Sequence, residues 1–333
     1  MEKNTKKLIF TILRIIAIIT PFIWILSGVQ GDLLIQALQK IRWWTIPLFL
    51  SIIITTMFLQ GLRWWILLRA FSKKLSFLQS IAYHFSSLFY SLVLPNSTAQ
   101  EVVRTVFVSK HAGAAVSWSA AWVCKITGLI VSFALSVYGL MTISGSGISK
   151  GIFNAAIGLF VVICILFGLS FSKKLTTPFR KTAQKLIPLK YLSKAENLRE
   201  GIYQFRNKKL YLLTATLVTI LAQLLVIISV SVVIKGITGS SYIIQCIAFI
   251  PLIEIISMAQ PITPNGVGVR EALIALMFNH LQLSSEQLSV YIIISNLAIL
   301  MKLVGAIPVL YGMIFKPETK KNRLTKTSEI GSE

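Results

Sequence analysis

The sequence predicts an all-α polytopic integral membrane protein, with six spans and two re-entrant helical hairpins in an inverted repeat. Three observations carry that prediction. The 333 residues are 55% hydrophobic and only 13% charged, against about 25% charged in soluble domains. Apolar runs of about 20 residues, enough to cross a bilayer, recur from end to end. The formal charge of +22, from 33 Lys and Arg against 11 Asp and Glu, gathers in the segments between those runs, as topology requires.

The first span, 8–29, follows the basic start "MEKNTKK". Its run exceeds the roughly 7–15-residue core of a signal peptide, so it reads as uncleaved. Span 44–66 carries Trp43-Trp44 at one end and Trp64-Trp65 at the other. That separation is roughly 31 Å at about 1.5 Å per residue, which suits two interfacial aromatic belts. Spans 114–140, 152–171, 210–236 and 289–315 complete the set, leaving the apolar blocks 76–94 and 243–259 to be placed.

Charge places them. Segments 1–7, 63–75, 172–209 and 316–333 hold 23 of the bases, whereas 30–43, 141–151, 235–242 and 282–288 hold four. The first group belongs on the cytoplasmic side. Three crossings between 75 and 172 would put the richest basic segment outside. One block must therefore enter and leave on the same face. "LPNSTAQEVVR" (94–104) identifies it, since proline breaks the helix and the following residues are too polar to span. Residues 76–110 thus form a hairpin open to the cytoplasm, with its tip at Pro95-Asn96. The same count makes 243–281 a hairpin from the opposite face, with its tip at Pro264-Asn265-Gly266. Irregular backbone at membrane depth needs protein or a watery cavity around it, so a site is implied.

The organisation expected is a first membrane repeat over 1–151 containing hairpin 76–110, then a second over 152–315 containing hairpin 243–281. The segment 172–209 reads as an amphipathic helix on the anionic cytoplasmic leaflet, and 316–333 as a basic cytoplasmic tail. Both termini are expected in the cytoplasm and the protein in the cell membrane. Beyond the order of elements, the halves share marks. "PN" stands at each tip, and an acid and an arginine follow it, Glu101 with Arg104 and Arg270 with Glu271. "CKITG" (Lys125, Gly128) and "MKLVG" (Lys302, Gly305) follow the two hairpins, and His84 and Glu254 interrupt the entering arms. Inverted repeats with interrupted helices are the pattern of secondary transporters.

Arg104, Arg270, Lys125 and Lys302 fall within or near the hydrocarbon, where a charge costs at least about 2.5 kcal/mol and function is the default reading. The bland alternative is mutual neutralisation: Glu101 with Arg104 on one helical face, and Glu254 or Glu271 with a lysine. Four cations against three carboxylates leave capacity for an anion such as phosphate, which the arginine fork suits. Gly266 and Gly268 would let backbone amides approach a ligand, with a helix beginning near Val269 and presenting its positive end, or they form a simple helix-initiating turn. His84 reads as an interior histidine, His111 as a solvated loop residue, and Arg14 as snorkelling or paired. Cys124, Cys164 and Cys246 lie in apolar runs and read as small hydrophobes. No metal cluster, nucleotide loop or catalytic signature occurs, so neither cofactor nor metal is expected. No recognition module accompanies the basic charge, and no nucleic-acid partner is expected.

"LP…EVVR" and "PITPNGVGVREALIALMF" resemble the signatures of the lysylphosphatidylglycerol synthase transmembrane-region family, over roughly residues 8–315. These are flippase-like membrane proteins, related to the N-terminal flippase half of bacterial multiple peptide resistance factors. The more specific second motif falls on Pro264, Gly266, Gly268, Arg270 and Glu271. In the first, the family's glycines and aspartate give way to Asn96-Ser97-Thr98-Ala99-Gln100-Glu101, which makes the second hairpin the expected main contact. The resemblance implies transfer of a polar-headgroup phospholipid or polyprenyl-linked lipid between leaflets, with a membrane lipid of anionic headgroup as substrate. Relatives that aminoacylate lipid carry a soluble synthase domain after the membrane part. The short tail here makes lipid synthesis, and enzymatic activity generally, unexpected. The headgroup is expected between the two tips, held by Asn96, Glu101, Arg104, Asn265, Gly266, Gly268, Arg270 and Glu271, with Lys125 and Lys302 along the path. The alternatives are a membrane-embedded lipid-modifying enzyme of glycosyltransferase type, for which Asp32 is the one acid in the first outer loop, and a small-anion secondary transporter.

Overall fold

The computed structural model describes residues 41–72, 74–93, 99–143, 150–170, 199–259, 268–278 and 283–310, with isolated positions at 32, 35, 36, 39 and 281. The described residues are helical and contain no strand. Span 8–29, Arg14, the tail 316–333 and both predicted tips, with Asn96, Asn265 and Gly266, lie outside them.

The helices are α1 (Thr45–Arg69), α2 (Phe77–Val93), α3 (Ala99–Ala112), α4 (Ala114–Ile143), α5 (Lys150–Ser170), α6 (Lys209–Thr238), α7 (Ile243–Ala259), α8 (Val269–Phe278), α9 (Ser285–Leu300) and α10 (Ala306–Leu310). Four among the described residues are long and apolar enough to cross a membrane: α1, α4, α6 and the continuous run Ser285–Leu310. Each boundary has a local cause. Gly113 (φ 86°) separates α3 from α4, and Gly239 (φ 80°) closes α6 with its amide on the Lys235 carbonyl. Ser284 and Gln287 form a reciprocal capping box that starts α9. Between α9 and α10 the run tightens into a 3-10 stretch, Met301–Gly305. Pro308 lacks the N–H that would close onto the Val304 carbonyl, so the regular ladder fails there.

Two packed ends hold the bundle. At the basic end, Phe71 meets Phe205 edge-on at 4.6 Å, and Trp64, Leu67, Leu68, Val123 and Ala215 are buried nearby. Residues 199–207 dock here, with Ile202 and Phe205 buried among the helices. The described end of segment 172–209 therefore packs into protein and does not merely lie on a leaflet. At the opposite end, Phe49, Phe133, Ile234, Phe249, Leu281 and Val290 share one cluster. Rows such as Leu213, Leu217 and Leu221 on α6 point outward, as a lipid-facing surface requires. Cys124 and Cys246 are buried, Cys164 is half-buried, and all three are free.

The partnerships cross between the halves. α1 and α6 run antiparallel as the principal pair, with Gly236 against Thr45 and Arg63 against Thr219. α2 enters beside α1, where Phe77 packs edge-on to Trp65 at 5.3 Å. α3 returns to the same end, its His111 Nε2 2.8 Å from the Tyr83 hydroxyl of α2. His111 is exposed, but it ends a helix and has a partner; it is not a loop residue. α7 starts at the opposite end against α4, where Gly139 touches the Ala248 backbone and Ser136 donates to the Ala248 carbonyl. α2 packs in turn on the 3-10 stretch of the last run, with Gly305 against the Phe85 carbonyl. Small residues at both crossings allow the backbones to touch. The paired "KxxG" marks do not play equivalent parts. Gly128 faces the Arg63 guanidinium, and the counterpart of the Gly305 crossing is made by Gly139.

Candidate functional site

Between the two packed ends lie two abutting clefts of about 140 and 250 Å³, open to the surroundings. The first lies among α1, α3, α4, α6 and α7, where Arg63, Glu101, Arg104, Lys125 and Glu254 face it. The second lies beside α8 and α9, with Glu254, Arg270, Tyr291 and Lys302 in its wall. Gln60, Gln100, Val226, Glu254 and Met258 line both and form the partition between them. The sequence suggested one headgroup site shared by Arg104 and Arg270; the fold puts these arginines in different clefts.

Glu101 and Arg104 are three apart on α3, yet they do not neutralise each other by contact. Lys125 Nζ of α4 takes the carboxylate, 3.1 Å from Glu101 Oε1, and lies 3.8 Å from the Met258 sulfur. Arg104, 4% exposed, turns the other way. Its guanidinium carbon sits 4.1 Å over the Trp64 ring, and Nη1 is 3.3 Å from His84 Nδ1. Arginine has only donors, so that histidine nitrogen accepts. The Lys125–Glu101 pair is about one-third exposed. A double-mutant cycle on Lys125→Ala and Glu101→Ala, read by thermal unfolding in detergent, is expected to give a coupling of about 1 kcal/mol or less; several kcal/mol would show the pair to be a structural brace.

In the described part of the second motif, residues 268–271, the polar groups engage one another, except the buried Arg270 Nε, which has no hydrogen-bond partner there. Gly268, in the left-handed conformation at φ 88°, stands just before α8, which begins at Val269 as its sequence indicates. Its amide donates to Glu271 Oε2 at 2.6 Å, so it caps its own helix and is not offered to a headgroup. Arg270 Nη2 lies 3.0 Å from Glu271 Oε1 and 3.1 Å from Asn296 Oδ1, with Ser295 Oγ at 3.4 Å. Glu271 is fully buried, and among the described residues its neutralising cation is Arg270 and not a lysine. Glu254 accepts from Gln223 Nε2 at 2.7 Å.

The residues that sequence reasoning passed over are Arg63, Gln60, Gln100, Thr219 and Gln223. Arg63, one of the basic residues of segment 63–75, lies within α1 and donates through Nη1 to Thr219 Oγ1 at 3.3 Å. The signal was available. Gln60 and Arg63 are spaced i, i+3, and Thr219 and Gln223 i, i+4, so each pair marks one polar face on an otherwise apolar helix.

Apolar helices around a charged interior define a helical membrane protein with a polar site inside the bundle. The model of the family described as the lysylphosphatidylglycerol synthase TM region matches residues 11–305, and the chain belongs to that family. No curated protein and no solved structure matches it.

Proposed function

We propose that the protein is a flippase-like transporter moving a polar-headgroup lipid between the leaflets of the cell membrane, with both termini cytoplasmic and no covalent chemistry. The observation that carries this reading is the pair of charged clefts meeting at a shared partition, Arg104 of α3 lining one and Arg270 of α8 the other. A headgroup could pass from one to the other while its acyl chains remain in lipid. Two features support the inverted repeat. α2–α3 begins and ends at the basic end and α7–α8 at the other, and each entering arm packs on the last run of the other half. In this reading 8–29 and α5 complete six spans, and alternation comes from one half rocking against the other.

Met258 lines both clefts without adding charge, so Met258→Trp should plug the partition. In vesicles carrying a fluorescent phospholipid, dithionite quenching of the inner-leaflet pool is expected to drop to the rate of protein-free vesicles. Wild-type transfer by the folded variant would exclude this route.

A further inference from the structure

We propose that Arg63 and Arg104 form a phosphate subsite in the first cleft, the place where the headgroup of the transport reading is gripped. This rests on that reading only for the identity of the ligand's carrier; the subsite itself follows from the packing. The two guanidiniums line one cavity, and Arg104 feels the Arg63 charge as well as the larger opposing pull of the Glu101 carboxylate one turn away. Among the described residues neither has a carboxylate in ion-pair contact. Arg63 spends Nη1 on a threonine hydroxyl, Arg104 its Nη1 on a neutral ring nitrogen, and the buried Nε of each has no hydrogen-bond partner. Two like charges at low dielectric repel strongly, and their unused donors add a desolvation cost. Both penalties vanish if an anion with several acceptor oxygens sits between the forks.

The cleft's charge sets the class of anion. Lys125 and Glu101 cancel, and Glu254 stands at the partition, engaged by Gln223. Three cations and two carboxylates leave one net positive charge, which matches a phosphodiester monoanion better than a dianionic monoester. The Arg63–Thr219 contact ties the subsite to the central α1–α6 pair, and Trp64 backs Arg104 as a flat, apolar floor. The second cleft differs: Arg270 shares with the other two an unpartnered buried Nε, but its charge is met by Glu271, and its fellow cation there is Lys302, not a second guanidinium.

The test uses the full chain in an uncharged detergent at constant ionic strength, following thermal unfolding against inorganic phosphate, dihexanoyl phosphatidylglycerol and uncharged dihexanoylglycerol. Saturable stabilisation by at least one phosphate ligand, and none by dihexanoylglycerol or chloride, is expected. Arg63→Gln and Arg104→Gln are each expected to weaken it by about tenfold or more, Arg63→Lys to weaken it less, and Lys110→Gln, an exposed control at the same end, to leave it unchanged. Without ligand, Arg63→Gln should unfold no earlier than wild type, since it removes one of two repelling charges. Stabilisation by inorganic phosphate as strong as by the lipid assigns the subsite to free phosphate. Stabilisation by the lipid alone assigns it to a headgroup. Wild-type phosphate binding by Arg63→Gln, or a fall in its ligand-free stability, overturns the proposal. Phosphate binding that persists in a protein with no leaflet transfer would sink the transporter reading and leave the subsite standing.

Discussion

Gly305→Ala is expected to cost the protein about 3 kcal/mol or more of stability, at the upper end of overpacking penalties. A Cβ at that position would strike the Phe85 carbonyl and the Phe89 amide. These are backbone atoms of α2 and cannot step aside as a side-chain tip could, so a helix must move. Gly139→Ala meets the Ala248 backbone of α7 in the same way. The crossings lie in separate helix pairs, and their effects should be close to additive. Gly158 on α5 has nothing within 4 Å of an added Cβ, and alanine there should be neutral or slightly stabilising. Thermal unfolding of the three variants in detergent decides the matter. A wild-type midpoint for Gly305→Ala would mean that α2 and the last run are not locked.

Arg270→Ala should be the most damaging charge substitution, lowering stability by about 3–5 kcal/mol, because it strands a fully buried carboxylate. Part of that loss should return in Arg270→Ala/Glu271→Gln, where the carboxylate is gone and an acceptor for the Gly268 amide remains. A double variant as unstable as the single one would show that Arg270 stabilises through Asn296 and Ser295 instead. Loss of transport in Arg270→Ala alone would therefore not identify a ligand contact. Arg104→Gln is the cleaner probe, since no buried carboxylate depends on it.

The long apolar runs were legible because their ends carry local signals. Predicted 114–140 became Ala114–Ile143, bounded by Gly113, and 210–236 became Lys209–Thr238, bounded by Gly239. The 3-10 stretch around Lys302 was legible too, in Pro308, had its missing N–H been traced back four residues. The choice of charge partner was not legible. Glu101 takes a lysine 24 residues away on another helix and leaves the arginine one turn away on its own. Helix crossings decide such contacts, and crossings are set by shape at distant residues such as Gly139 and Gly305. In the described part of the second motif, glycine gives Gly268 its turn, and the turn brings Glu271 back onto its amide.

The crossed packing of the hairpins also fixes an order of events during synthesis. Arg104 and Glu101 of α3 find their partners within the first half, at Trp64, His84 and Lys125, but α2 makes its close backbone contact with Gly305 only in the last run. Through the making of some 200 further residues the face of α2 that receives Gly305 is without that partner. The last run is thus the keystone of assembly, and a chain arrested before residue 305 should be a substrate for membrane quality control even though its early spans are already in place.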